Sequence, residues 1–305
     1  MTHSVAVSTD HSFTVSANRS YLMEWSDILK AYWKIDKILY SGNTKFQKIL
    51  IAKNPYLGSF LALDGKMQSS EWDEYIYHEA LVHPAMLTSY PVKRVLIIGN
   101  GEGCVTREVL KYSSVKTIDW VDLDRQVIEL CRKNLPYSWK GNDPRVNMIY
   151  GDGYKFMEGV AKEKRKYDVI LMDLTEYNTK IPLSNRLFSK AAIKLIKSLL
   201  SNRGSLVTQC VNVLDNGKVV RGNVPPLVNK AFKYKRTLHF FVPSFLCEYR
   251  LVLATDGIDP IKISRDRVRK VIAPFVNTLR YYDDKYHHSI ITLPREARLS
   301  GRKTF

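Results

Sequence analysis

The sequence predicts an α/β protein: a doubly wound, mostly parallel sheet preceded by a small N-terminal β-domain. Three observations carry this. Between Val95 and Val211, short apolar runs alternate with segments of helical period in the succession βαβαβαβαβ. The runs VLIIG (95–99) and YDVILMDL (167–174) are apolar almost without interruption, as strands covered on both faces are. Ahead of them, residues 46–74 divide into three strand-like runs at the turn signals Asn54-Pro55 and Asp64-Gly65.

In chain order, residues 1–20 are polar and are expected to form a poorly ordered tail, with no basic segment leading into an apolar one. Residues 21–75 are assigned to the small β-domain, although 21–40 mix polar and apolar positions without a clean period. FQKILIAKN, YLGSFLALDG and KMQSSEWDE supply its strands. Residues 76–305 form the predicted doubly wound domain, with a basic C-terminal segment. A helix over 74–88 is read from the period of Ile76, Ala80, Leu81 and Val82. Then come strand 95–99, helix 104–113, strand 117–124, helix 125–135, strand 145–152 and a helix from Gly153. Strand 167–174, helix 186–200 and strand 204–211 follow, with two more strand-like runs, RTLHFFVPSF and EYRLVLATD.

Composition narrows the function classes. No uncharged apolar run is long enough to span a bilayer. The four cysteines are widely spaced, without CxxC or a neighbouring histidine pattern. That predicts free thiols, a reducing cytoplasmic setting and no structural zinc. A net charge of +17 points first to an anionic partner. Aromatic residues do not alternate with the basic ones, so charge is the only support for nucleic acid, and that partner is disfavoured.

In open α/β sheets, ligands sit beyond the carboxyl ends of the strands. The first strand ends in Gly99-Asn100-Gly101-Glu102-Gly103, the second in Asp122 and Asp124, the third in Asp152-Gly153, and the fourth in Asp173 with Glu176 three residues on. Each has a plain alternative: glycines make turns, Asp124 and Asp152 stand where helix N-caps stand, and Asp173 suits a turn. Together they turn four acidic strand ends towards one crevice. Asp122 occupies the place of a ribose-binding acid. Glu102 would repel a pyrophosphate, so a dinucleotide is disfavoured and a cationic donor favoured. Two unit charges ~4 Å apart interact by about 4 kcal/mol at an effective dielectric near 20, enough to choose between ligand classes.

The stretches LDGKMQSSEWDEYIYHEALVHPAML, VLIIGNGEGCVTREVL, VDLDRQVIELCRKNL, DPRVNMIYGDGYKFM and YDVILMDLTE resemble the polyamine aminopropyltransferases, that is spermidine synthase and plant-type thermospermine synthase. The resemblance covers roughly residues 40–295. It implies a Rossmann-like, methyltransferase-type sheet. It also implies transfer of an aminopropyl group from decarboxylated S-adenosylmethionine, a co-substrate rather than a tightly bound cofactor, to an amine, with methylthioadenosine released. By the family pattern, Gln47, Gln68, Tyr77, His78 and Glu102 line the donor and amine sites. Asp122 takes the ribose hydroxyls, Asp152 and Gly153 meet the adenine, Gly99 and Gly101 form the loop, and Asp173 is base and amine anchor, with Tyr77 beside it. Glu71, Asp73, Glu74, Glu79 and Glu176 are available for distant ammonium groups of the acceptor. Family members commonly form dimers or tetramers, and the N-terminal β-domain is the expected interface.

Two departures stand out. Asn100 replaces the middle glycine of the loop, and Asn tolerates left-handed backbone. DLTEYN (173–178) stands where the family has D-x-x-D-P, and Lys180 and Arg186 follow in a gate-like stretch. An S-adenosylmethionine-dependent N-methyltransferase on the same scaffold, or a non-catalytic paralogue, are the competing readings.

Overall fold

RVLIIG folds as strand β7 (Arg94–Gly99), the middle one of the five parallel strands in a seven-stranded sheet. In the computed structural model, residues 20–24, 30–175, 186–209 and 226–292 are described. On one side of β7 lie β8 (Thr117–Asp122) and β9 (Val146–Tyr150). On the other lie β10 (Tyr167–Asp173) and β11 (Leu200–Gln209). These five strands run parallel. β13 (Cys247–Thr255) pairs antiparallel with β11, and β12 (Tyr234–Val242) pairs antiparallel with β13. The chain steps outward from β7 to β9, then returns to β10 on the opposite side, so the switch point falls between β7 and β10.

Alternate residues of the central strands feed two layers. Val95, Ile97, Trp120 and Leu171 join the core that holds α1 (Glu74–Thr88) and α2 (Cys104–Leu110). Leu96, Ile98, Val121 and Ile170 join the core under α4 (Gly153–Lys162) and α5 (Lys190–Leu199). Apolar burial on both faces explains why these strands read as unbroken apolar runs.

The N-terminal part forms a four-stranded antiparallel sheet of β3 (Lys37–Asn43), β4 (Lys48–Asn54), β5 (Gly58–Leu63) and β6 (Lys66–Ser70), preceded by the hairpin β1 (Ser20–Glu24) and β2 (Lys30–Lys34). Leu50, Ala52, Phe60 and Ala62 pack into the core beneath α1. Ile49, Ile51, Leu61 and Leu63 pack against Val127, Cys131 and Leu135 of α3 (Arg125–Asn134) and the turn after it. The small sheet is therefore clamped to the large one on two sides, and a cleft remains at the junction.

Several boundaries moved. β1, β2 and β3 lie where the sequence showed no clean period. β3 has only exposed and half-buried positions, in no regular order, so it carries little apolar signal. The helix expected over 186–200 begins at Lys190, where the Ser189 hydroxyl accepts from the Ala192 amide. β11 starts at Leu200, before the glycine taken as its turn. Two helices, Arg265–Ile272 and Tyr286–Ile291, occupy the basic C-terminal segment. Helix α1 is buried almost all round, not on one face alone. Its polar residues Glu74, His78, Glu79 and His83 are buried with it and each has a partner, as burial of charge demands.

Candidate active site

The loop after β7 begins with Gly99 at φ +89°, where an added Cβ would meet the Asp173 carbonyl oxygen at 1.8 Å. Only glycine allows the ends of β7 and β10 to approach this closely. Asn100 follows at φ +76°. Its amide donates to the Asp173 carbonyl at 3.1 Å, and its side-chain oxygen accepts from the Val105 amide at 2.9 Å. Its Nδ2 donates to the Thr106 hydroxyl at 2.9 Å. Asn100 thus takes the left-handed turn and also satisfies the start of α2, where Gly103 has no side chain to do so.

The strand ends converge as the sequence predicts. Gln47, Gln68, Tyr77, Gly99, Gly101, Glu102, Asp122, Asp152, Gly153 and Asp173 all line the cleft. Asp122 accepts from the Asp124 amide at 2.8 Å. Burial pushes its pKa up to about 7; the neighbouring charges of Asp124, Asp173 and Glu102 add to the rise, against that one hydrogen bond. Asp124 is the N-cap of α3, and its second oxygen accepts from the Thr44 hydroxyl at 2.5 Å and Gln47 Nε2 at 3.2 Å. It therefore fastens the β3–β4 turn over the end of β8. Asp152 is likewise a cap, accepting on Oδ1 from the Tyr154 and Lys155 amides. Its Oδ2 is buried, with no hydrogen-bond partner among the described residues.

At the switch point, the Tyr77 hydroxyl donates to Asp173 Oδ1 at 2.9 Å and accepts from Gln209 Nε2 at 3.2 Å. Phe240, Phe245 and Tyr249 surround the Tyr77 ring. Burial raises the Asp173 carboxyl to about 6, and the charge of Glu102 adds to this; His78 and the Tyr77 hydrogen bond pull the other way. Burial and the Asp173 charge hold the Tyr77 phenol well above its ordinary value, so it stays a donor.

Some expected residues are elsewhere. His78 does not line the cleft: it is 1% exposed and lies behind Glu102, because both ring nitrogens are engaged with carboxylates. Glu71, Asp73, Glu74 and Glu79 do not line it either, since each already serves a local acceptor role. Glu71 accepts from the Ser59 amide, Asp73 from Ser70 and Ser244, Glu74 from His78 and Arg107, and Glu79 from the amides of Arg280, Tyr281 and Tyr282. Glu176 and Lys180 lie outside the described residues. Arg186 stacks 3.7 Å from the Tyr154 ring and faces Glu158 on the outer surface. Glu74, His78 and Cys104 converge within 4.8 Å. The Arg107 guanidinium, 2.8 Å from the Glu74 oxygen that also faces His78, supplies the positive charge there.

Gln209, Phe245 and Tyr249 line the cleft without having been singled out. Gln209 ends β11, so the strand-end rule that found the four acids would have found it too. Its Oε1 is buried with no partner among the described residues.

Comparison with known proteins matches this architecture. Residues 74–256 fit the spermine/spermidine synthase domain, and residues 23–71 fit the spermidine synthase tetramerisation domain. A polyamine aminopropyltransferase of Hyperthermus butylicus is 37% identical over 278 residues, spanning 89% of this chain and 93% of its own. One from Sulfolobus acidocaldarius is 34% identical over 270 residues, 87% of each chain. A crystal structure of spermidine synthase in complex with the transition-state analogue AdoDATO aligns with a TM-score of 0.83 at 29% identity, over 93% of this chain and 95% of that one.

Proposed function

Because the chain belongs to the spermine/spermidine synthase family and is a polyamine aminopropyltransferase, we propose that it moves the aminopropyl group of decarboxylated S-adenosylmethionine onto a linear amine of the putrescine or spermidine class, with Asp173 as the base. The observation that carries this reading is the Gln209–Tyr77–Asp173 chain of hydrogen bonds at the switch point, opposite Glu102.

The donor half of the cleft fits a nucleoside sulfonium. Asp122 would take the ribose hydroxyls, and Asp152 at the end of the next strand would meet the adenine. Glu102 would face the ammonium of the aminopropyl arm. A donor that kept its carboxylate would bring a like charge against Glu102, which is why the decarboxylated form is favoured over methyl transfer from S-adenosylmethionine.

The acceptor amine, with a pKa near the ordinary lysine value of about 10.4, arrives protonated. Asp173 accepts its proton, and the freed nitrogen lone pair attacks the methylene next to sulfur. A C–N bond forms, the C–S bond breaks, and its electron pair returns to sulfur as the neutral thioether of methylthioadenosine. Tyr77 fixes Asp173 Oδ1, which leaves Oδ2 to take the amine; alignment of the two small substrates supplies much of the acceleration. The matched tetramerisation domain supports a homo-oligomer, dimer or tetramer, built through residues 23–71.

Asp173→Asn tests the base. Turnover should fall by at least about 10²-fold, while calorimetric binding of the donor stays near that of the parent. A variant with parental kcat would remove Asp173 from this role.

A further inference from the structure

His78 is sealed from solvent, yet both of its ring nitrogens face oxygen acceptors. Nδ1 lies 2.7 Å from the Glu74 carbonyl and 2.9 Å from its carboxylate. Nε2 faces the Glu102 carboxylate at 3.7 Å. A neutral imidazole has one N–H and one lone pair, so one nitrogen would aim a lone pair at an acceptor in a dry site. The doubly protonated ring removes that conflict.

The groups around the ring come from four elements. α1 supplies Glu74 and Tyr77, the β7–α2 loop supplies Glu102, α2 supplies Cys104 and Arg107, and the end of β10 supplies Asp173. Arg107 donates from Nη2 to Glu74 at 2.8 Å and from Nε to Glu108 at 2.9 Å. Charges thus alternate along a line from the partly exposed guanidinium through Glu74 and His78 to Glu102 at the cleft.

We propose that Arg107, Glu74 and His78 are positioning residues that hold an imidazolium behind Glu102, and that this fixed charge offsets the negative charge around Asp173 so that Asp173 can take the proton of the amine. The proposal rests on the transfer reaction above. Glu102, Asp122 and Asp173 face one cleft, and the negative charge of Glu102 helps to drive Asp122 and Asp173 towards protonation. Behind the cleft wall, the imidazolium offsets the acids without occupying the cleft. Burial opposes charge on His78, but the hydrogen bond and charge of Glu74, then the charges of Glu102 and Asp173, outweigh it and push its pKa up to about 9. Burial also opposes charge on Glu74, and His78 and Arg107 together hold its carboxyl below the ordinary value.

Two readouts test this. In His78→Gln and Glu74→Gln, the acidic limb of the kcat/KM pH profile should move up by about one pH unit, with rates rejoining those of the parent on the alkaline side. A loss of rate at every pH with the limb unmoved would mean that the residues only pack, and would overturn the proposal. The second readout needs no turnover. Imidazole nitrogen NMR of the whole protein should find His78 doubly protonated at pH 8, and neutral at pH 8 in Glu74→Gln. A neutral His78 in the parent at pH 7 overturns the proposal, whether or not either variant folds. A parent with a charged His78 but no aminopropyl transfer would instead refute the reaction assigned above.

Discussion

At the scale of single residues, the acids at the strand ends were legible because their positions follow from chain topology alone. Asp122, Asp152 and Asp173 stand where consecutive parallel strands stop, and all three line one cleft. His78 was misplaced because a motif gives a residue its neighbours but not its depth; two carboxylates draw its ring away from the cleft. Asn100 could be read only as tolerated, since its role depends on Val105 and Thr106 folding back onto it. That double role is testable. Asn100→Gly keeps the φ of +76° and loses the cap, at a cost of about 1 kcal/mol. Asn100→Ala loses the cap and also strains the backbone, at a cost of about 2 kcal/mol. Chemical denaturation should rank the two in that order; equal losses would mean that the left-handed backbone is not what selects asparagine.

At the scale of elements, the parallel strands and the helices between them were legible because burial on both faces writes long apolar runs. β3 was not, since an edge strand with half-exposed residues leaves no period, and the helices at 265–272 and 286–291 lie in a segment dominated by charge. Attachment of that segment depends on a residue first read as available for substrate. Glu79, 1% exposed on α1, accepts at 2.9, 2.9 and 2.7 Å from the amides of Arg280, Tyr281 and Tyr282. Glu79→Ala leaves three amides without their acceptor and should cost about 3 kcal/mol. Hydrogen exchange should accelerate at those three amides more than in β7 or β10. Uniform acceleration across the chain would contradict a local clamp.

For the whole molecule, the +17 charge and the acidic cleft pull in opposite directions on a cationic substrate, and the local acids prevail within a Debye length of about 8 Å. The cleft makes the empty protein pH-sensitive. Asp122 and Asp173 have folded pKa values raised from 3.8 to about 7 and about 6, so the folded state holds protons that the unfolded chain has released. Their contribution is present below about pH 4 and is lost as pH rises through those folded values. His78, raised from 6.5 to about 9, contributes in the same direction up to that pH. The melting temperature of the empty enzyme should therefore fall between pH 6 and pH 8.5, and Asp122→Asn should flatten part of that fall. A melting temperature that climbs over this range would contradict the electrostatic picture of the cleft. The central claim concerns the donor and the bond that breaks, and one product analysis decides it. The protein is incubated with decarboxylated S-adenosylmethionine or with S-adenosylmethionine, each with putrescine or spermidine, and the nucleoside products are identified by mass spectrometry. Methylthioadenosine from the decarboxylated donor, together with an amine heavier by one aminopropyl unit, is the predicted result; S-adenosylhomocysteine and a methylated amine would contradict it.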